Sequence, residues 1–134
     1  MLDGVITVSI SSDQDIVQAR QKGRALAMEM GFGSGDATLI ATAISELARN
    51  IVSYARSGQI TLRIDDGGNR YGLSIVASDE GPGIPDIRQA LRDGFSTSGS
   101  LGIGLPGVRR LMDEFEITSQ TGRGTIVTVK KWKQ

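Results

Sequence analysis

The stretch from residue 79 to residue 107 restricts the fold more than any other part of the chain. It contains seven of the 18 glycines and all three prolines. Both residue types are unfavourable inside helices and strands, because glycine loses much backbone entropy on folding and proline lacks an N–H donor. The strands and the long helices are therefore expected in residues 5–78 and 108–132, and only short helices inside the stretch. A long loop inside a small domain is usually functional, so we expect the site there.

The chain before this stretch begins with the patterns of one strand and two helices. Residues 5–10 are rich in β-branched side chains, which predicts a strand. Ser12 is followed three places later by Asp15, as in a capping box, which predicts a first helix that ends at Gly31. Residues 37–56 carry apolar side chains at helical spacing and predict a second helix.

Two further segments predict β-hairpins. Residues 60–78 alternate around a turn at 66–69, and residues 115–132 surround a turn at 122–124. Hairpins favour an antiparallel sheet, because parallel strands need long crossover connections. We therefore expect a single domain over residues 1–134, an α/β fold in which helices cover one face of a mainly antiparallel sheet in a two-layer sandwich.

Composition excludes several classes of function. The chain has no cysteine and no histidine, which excludes zinc sites built from them, thiol redox chemistry and triads that use histidine. Basic and acidic residues balance at 15 each, so we expect neither nucleic acid nor an anionic membrane as a partner. No apolar run is long enough to span a bilayer, and no signal pattern begins the chain. We expect a cytoplasmic protein whose general base, if it has one, is a carboxylate or a lysine.

Glu46 and Asn50 lie four residues apart in the second predicted helix and therefore share one face. The carbonyl oxygen of Asn50 could coordinate magnesium, which prefers oxygen ligands and keeps substrate phosphates and water as the others. Glu46 would then be available to accept a proton. The alternative is a solvated helix face, shared with Thr42 and Ser53, on which Arg49 makes surface ion pairs.

Asp79 follows the predicted strand at 71–78 and is itself followed by Gly81 and Gly83. This pattern places a carboxylate at the rim of a pocket and lets a flat ligand approach the backbone. Asp79 could accept a hydrogen bond from an exocyclic amine. The alternative is an Asx turn in which the glycines serve only the turn geometry.

Gly102, Gly104 and Gly107 directly precede apolar residues at helical spacing, namely Val108, Leu111, Met112 and Phe115. The free amides and the dipole of a helix N-terminus bind phosphate groups, although a simple glycine-rich connector is the alternative. The three glycines also match the G-x-G-x-x-G dinucleotide fingerprint. That motif needs a preceding strand and a following parallel strand, whereas here a predicted hairpin follows the helix. No P-loop sequence occurs either.

Taken in order, these motifs resemble those of the Bergerat (GHKL) ATP-binding superfamily. The residues that match are Glu46 and Asn50, then Asp79, Gly81 and Gly83, then Gly102 and Gly104, and finally Gly124 and Thr125. The resemblance covers nearly the whole chain. Within the superfamily, residues 44–51 and 102–115 are most similar to the switch serine/threonine kinases of the RsbT type.

The resemblance implies a role for each matching residue. Asn50 would hold Mg²⁺, and Glu46 would act as general base on the attacking hydroxyl. Asp79 would bind the adenine amine of ATP, assisted through water by Thr125. The remaining nucleotide-binding positions would be Gly81, Gly83, Gly102 and Gly104.

The resemblance also implies an ATP lid at residues 95 to about 104. The chain departs from expectation here, because it has no lysine or arginine between Phe95 and Val108. A cation on the γ-phosphate would therefore come from a partner protein or from one of three arginines, Arg49, Arg109 and Arg110.

The implied partners are those of a bacterial stress-response switch. The kinase would phosphorylate a serine or threonine on a STAS-domain antagonist in a stressosome complex and activate a PP2C-type phosphatase when released. Two alternatives stay open. One is an anti-sigma factor that sequesters a sigma factor in a nucleotide-dependent way. The other is the catalytic domain of a histidine kinase, which the absence of histidine disfavours.

Overall fold

The computed structural model describes residues 5–84, 90–91 and 104–133. Gly102 and nearly all of the predicted lid, residues 95–103, lie outside the described residues, and Gly104 lies inside them. The elements in chain order are β1 (Val5–Ile10), α1 (Asp13–Glu29), α2 (Ser34–Asn50), a π-helical turn (Ile51–Ala55), β2 (Gly58–Gly67), β3 (Arg70–Asp79), α3 (Gly104–Leu111), β4 (Glu114–Gln120) and β5 (Gly124–Trp132).

Among the described residues, the five strands form one sheet in the order β1-β2-β3-β5-β4, and every neighbouring pair is antiparallel. β3 lies at the centre, where Ile75 is opposite Leu62 of β2 on one side and Val129 of β5 on the other. All three side chains are completely buried. The predicted α/β fold with a mainly antiparallel sheet is confirmed.

The core lies between this sheet and the helices. Burial alternates in β2, where Ile60 and Leu62 are buried, as the period-two pattern of a half-buried strand requires, whereas four consecutive residues of the central strand β3, residues 72–75, are buried. From the helical layer, Ile40 and Ile44 of α2 are inaccessible to solvent. Full burial of each such side chain contributes roughly 1.5–3 kcal/mol. No helix in the described part of the chain is long and apolar enough to cross a bilayer.

The first helix begins at the predicted cap. Ser12 is extended, and its hydroxyl accepts a hydrogen bond from the Asp15 amide at 3.4 Å. The Asp15 carboxylate accepts from the Ser11 amide at 2.9 Å, so the return bond of the capping box goes to Ser11 rather than to Ser12. This backbone hydrogen bond lowers the pKa of Asp15.

Two element boundaries differ from the sequence-based expectation. The helix predicted to continue through Phe115 ends at Leu111, and Phe115 lies in β4. The reason is a tertiary hydrogen bond, because the Asp113 amide donates to the Lys130 carbonyl of β5 at 2.9 Å and turns the chain into the sheet. The predicted second helix starts three residues early and changes to π geometry after Asn50.

Candidate functional site

Asp79 ends the central strand and is held by two backbone amides. Its Oδ1 atom accepts from the Gly81 amide at 2.9 Å and from the Thr125 amide of β5 at 3.3 Å. The first bond is the Asx turn that the sequence allowed. The second carboxylate oxygen, Oδ2, accepts no hydrogen bond from the described part of the chain. The Asx turn therefore orients Asp79 and leaves one acceptor for a ligand.

The segment after Asp79 lies against the turn between β4 and β5. The Gly122 amide donates to the Pro82 carbonyl at 2.8 Å. Gly83 has a φ of 83°, and a Cβ there would lie 2.5 Å from the Gln120 carbonyl oxygen. Glycine at position 83 is thus required by close contact with β4. The predicted approach of a nucleotide base to Gly83 stays a prediction.

A glycine on the other side of this contact is equally constrained. Gly124 has a φ of 125°, and a Cβ there would collide with the carbonyl oxygen of Asp79. It directly precedes Thr125, whose side chain is buried. We call Asp79–Ile84 together with Ser119, Gly124 and Thr125 the strand cluster.

Ser119 is the residue of this cluster that the sequence analysis missed. Its hydroxyl accepts from the Ile84 amide at 2.7 Å, donates to the Gly124 carbonyl at 3.2 Å and lies 2.8 Å from the Thr125 hydroxyl. Ser119 and Thr125 are opposite one another in the β4–β5 hairpin. Paired hydroxyl residues across a hairpin commonly share a hydrogen bond, and this signal was available in the sequence.

The helix cluster consists of Glu46, Arg49, Asn50 and Gly104. Only 7% of Glu46 is exposed. One carboxylate oxygen forms an ion pair with the Arg49 guanidinium at 2.8 Å, and the other accepts from the Gly104 amide at 3.3 Å. A solvated helix face is therefore the wrong interpretation for Glu46. The start of α3 lies over this carboxylate.

The π-helical turn joins the two clusters. Asn50 is half-buried at the end of α2, and the wider turn that follows brings Ala55 against Gly81. A Cβ at Gly81 would lie 2.6 Å from the Cβ of Ala55. The end of α2 and the end of β3 therefore meet at one place. Such turns are frequent at functional sites, but apolar periodicity does not distinguish them from α-helix.

The structure thus brings together most of the residues that the sequence singled out. Glu46 contacts Gly104, Asp79 contacts Thr125, and Gly81 contacts the turn that follows Asn50. Arg49 pairs with Glu46, whereas Arg109 and Arg110 are exposed on α3.

The polar groups of the two clusters agree with the chemistry of ATP and Mg²⁺. Two hydrogen-bond acceptors, Oδ2 of Asp79 and the Thr125 hydroxyl, suit the exocyclic amine of adenine. No group of three His, Cys, Asp or Glu residues that could hold a metal occurs in the described ranges. Magnesium commonly takes one or two side chains and completes its shell with phosphates and water, so Asn50 alone fits that pattern when a nucleotide is present.

Comparisons with known proteins show the family and the fold. Residues 35–134 match the family model of the histidine kinase-, DNA gyrase B-, and HSP90-like ATPases. Serine/threonine-protein kinase RsbT of Bacillus subtilis (strain 168) is 58% identical over 126 residues, which cover 93% of this chain and 94% of the relative. Anti-sigma F factor of Thermoanaerobacter sp. (strain X514) is 30% identical over 129 residues, which cover 92% and 89%.

Solved structures show the same fold. The catalytic domain of histidine kinase ThkA superposes with a TM-score of 0.55, and the match covers 96% of each chain. The two sequences are 16% identical. At that identity the likeness concerns the fold and carries no functional argument.

Proposed function

The chain belongs to the histidine kinase-, DNA gyrase B-, and HSP90-like ATPase family, and on that premise we propose that it is a serine/threonine protein kinase that uses ATP and Mg²⁺. The observation that carries the proposal is the contact between the buried carboxylate of Glu46 and the first amide of α3. The contact supports the proposal because a carboxylate that could accept a proton lies beside a glycine-rich helix start, a type of site that binds phosphate groups.

Phosphoryl transfer mainly requires positioning and neutralisation of charge. ATP bound with Mg²⁺ supplies the γ-phosphoryl group. Asn50 would hold the metal, and the Gly104 amide, which donates to Glu46 in this structure, would bind a phosphate when the nucleotide is present. Gly102 would belong to the same phosphate-binding segment, and residues 95 to about 104 would form the lid.

Glu46 acts as the general base in this proposal. It accepts the proton of the serine or threonine hydroxyl while that oxygen bonds to phosphorus and the bond to the leaving ADP breaks. General bases of this kind contribute roughly 10²–10⁴-fold to a rate. The ion pair with Arg49 holds the Glu46 carboxylate in one orientation.

The strand cluster binds the nucleotide base. The Oδ2 atom of Asp79 accepts from the adenine amine, and Thr125 assists through water. The bonds of Oδ1 to Gly81 and Thr125 support this role, because they orient the carboxylate before a ligand binds. Gly83 completes the surface that contacts the base.

We further propose that the substrate is a STAS-domain antagonist and that the released kinase activates a PP2C-type phosphatase in the cytoplasm. A relative of 58% identity that is named serine/threonine-protein kinase RsbT supports a role in partner switching. The partners themselves follow from the motifs that resemble the RsbT-type switch kinases.

The test is transfer of labelled γ-phosphate from Mg·ATP to a STAS-domain protein of the same genome. Glu46→Gln should slow transfer by about 10²–10⁴-fold and retain ATP binding. The matched control is Glu116→Gln, which changes an exposed glutamate of β4 and should leave the rate unchanged. Loss of ATP binding in Glu46→Gln would contradict the role of general base. It would indicate instead that Glu46 binds the metal or stabilises the fold.

A second candidate function rests on the relatives named anti-sigma F factor, which are 30% identical to this chain. In that function the chain binds a sigma factor in a nucleotide-dependent way. Intact Mg·ATP binding without transfer, together with co-purification of a sigma factor, would favour it over the kinase.

A further inference from the structure

Ser119 makes three polar contacts at the base of the strand cluster. The Ile84 amide can only donate a hydrogen bond, and the Gly124 carbonyl can only accept one. The third contact, to the Thr125 hydroxyl at 2.8 Å, allows either oxygen to be the donor. The distances to Ile84 and Gly124 are 2.7 and 3.2 Å.

Counting hydrogens gives one arrangement that satisfies all three contacts. A serine hydroxyl has one hydrogen, and the Gly124 carbonyl requires it. The hydrogen between the two hydroxyls must then come from Thr125. In this arrangement Thr125 has no hydrogen left and offers only lone pairs to a ligand.

We propose that Ser119 is a positioning residue that selects the nucleotide base by setting the direction of the Thr125 hydroxyl. The proposal rests on the nucleotide-binding function proposed above and extends it to a residue that does not touch the base. Thr125 and the ionised Asp79 are then both pure acceptors. Because these two residues are cross-strand partners, their acceptors face the same part of the site.

Two acceptors select a ligand that donates. The exocyclic amine of adenine donates hydrogen bonds at this position, whereas hypoxanthine and guanine present a carbonyl oxygen, which is repelled. A water molecule that bridges the two acceptors gives the same result. It donates one hydrogen to each of them and turns its lone pairs toward the ligand.

Removing the Ser119 hydroxyl frees the hydrogen of Thr125. The Thr125 hydroxyl can then rotate and donate, either to a ligand carbonyl or to a bridging water. Discrimination against the carbonyl base should decrease, since one repulsive contact becomes a hydrogen bond. The Ile84 amide also loses its hydrogen-bond acceptor. This loss should lower the affinity for every nucleotide alike.

The experiment compares the dissociation constants of ATP and inosine triphosphate. The bases of these two nucleotides differ at one position, where adenine carries an amine and hypoxanthine carries a carbonyl. Ser119→Ala should lower the ATP preference by about tenfold relative to the native chain. Ser119→Thr keeps a hydroxyl and should therefore keep the native preference for ATP. If Ser119→Ala does not fold, Ser119→Cys keeps the volume with a weakly accepting thiol and should show the same loss.

The outcomes separate this inference from the proposed function. Equal weakening of both nucleotides in Ser119→Ala, with the native preference unchanged, would make Ser119 purely structural and overturn the inference. A native chain that binds ATP no better than inosine triphosphate would also overturn it. A native chain that binds neither nucleotide would overturn the proposed function and the inference together.

Discussion

The strand cluster and the helix cluster differ in how many hydrogen bonds join segments that are distant in the chain. In the strand cluster, Asp79 bonds to a partner 46 residues away in addition to its local bond from Gly81, and Ser119 bonds to a partner 35 residues away. In the helix cluster, Glu46 pairs with a residue of its own helix, and within the described residues it makes one long-range bond, of 3.3 Å. The end that we propose binds the base is therefore built by several distant segments, whereas the end that we propose transfers phosphate depends, in the described part of the chain, on one helix and one amide.

The difference concerns what each end must do. Selection of a base needs acceptors that are oriented before the ligand arrives, because reorientation would cost affinity. Transfer needs a carboxylate that can accept a proton. It also needs a helix N-terminus whose amide can bind phosphate groups instead of that carboxylate. Within the described residues, Glu46 makes a single long-range hydrogen bond, which suits an exchange of partners better than a network would.

The largest effect on stability is expected at the strand cluster. Gly124→Ala places a Cβ against the Asp79 carbonyl oxygen at a φ of 125°, so we expect the free energy of unfolding to fall by about 3 kcal/mol. The control is Gly122→Ala, which has a φ of 82° and no atom near the new Cβ, and should cost about 1 kcal/mol. Urea unfolding measures both. Equal losses of unfolding free energy in the two variants would show that the backbone conformation, and not the contact with β3, requires glycine at position 124.

The second effect concerns nucleotide affinity. In Asp79→Asn, the side-chain oxygen must keep accepting from the Gly81 and Thr125 amides. The amide nitrogen then occupies the position of Oδ2 and points a donor at the adenine amine. We expect the dissociation constant of ATP to rise by about 10–100-fold, as measured by calorimetry. Asp66→Asn, at an exposed position, serves as the control, and an unchanged constant for Asp79→Asn would remove Asp79 from the site.

A smaller effect is expected in the helix cluster. Arg49→Ala removes an ion pair whose arginine side chain is 37% exposed, and such pairs contribute about 0–1 kcal/mol. We expect phosphate transfer to slow by up to about fivefold while the dissociation constant of ATP changes little. A large rise in that constant would indicate instead that Arg49 contacts the γ-phosphate. Arg63→Ala changes an exposed arginine of β2 and controls for net charge.

The smallest effect lies outside both clusters, at the cap of α1. The pKa of Asp15 is lowered in the folded chain, chiefly by the Ser11 amide, so its stabilisation is present above the unfolded pKa, about 3.8, and lost as pH falls through the folded value. Asp15→Asn should melt slightly below the native chain at pH 7, with no such difference at pH 2. ATP binding should not change. A difference that persists at pH 2 would assign the stabilisation to something other than the charge.

Local patterns predicted much of this protein because their physical causes are local. The capping residues at Ser12 and Asp15, the alternation in the hairpins and the four-residue spacing of Glu46 and Asn50 depend only on near neighbours in the chain. The pattern around Phe115 predicts both the end of a helix and the start of a strand, because one short apolar pattern fits both. The hydrogen bond between Asp113 and Lys130 decides between them.

By itself, therefore, the sequence determined the order of helices and strands, the antiparallel sheet and which carboxylates are the candidates for the site. The tertiary structure decided what those carboxylates contact. Glu46 is buried where α3 lies over it, and Gly81 and Thr125 bond to one oxygen of Asp79, whereas the other accepts no hydrogen bond from the described residues. Ser119 has two partners within its own hairpin and gains the third, the Ile84 amide, only when β4 and the segment after β3 meet. Hydrogen bonds between segments tens of residues apart leave no periodic signal in a sequence, since they depend on the packed fold.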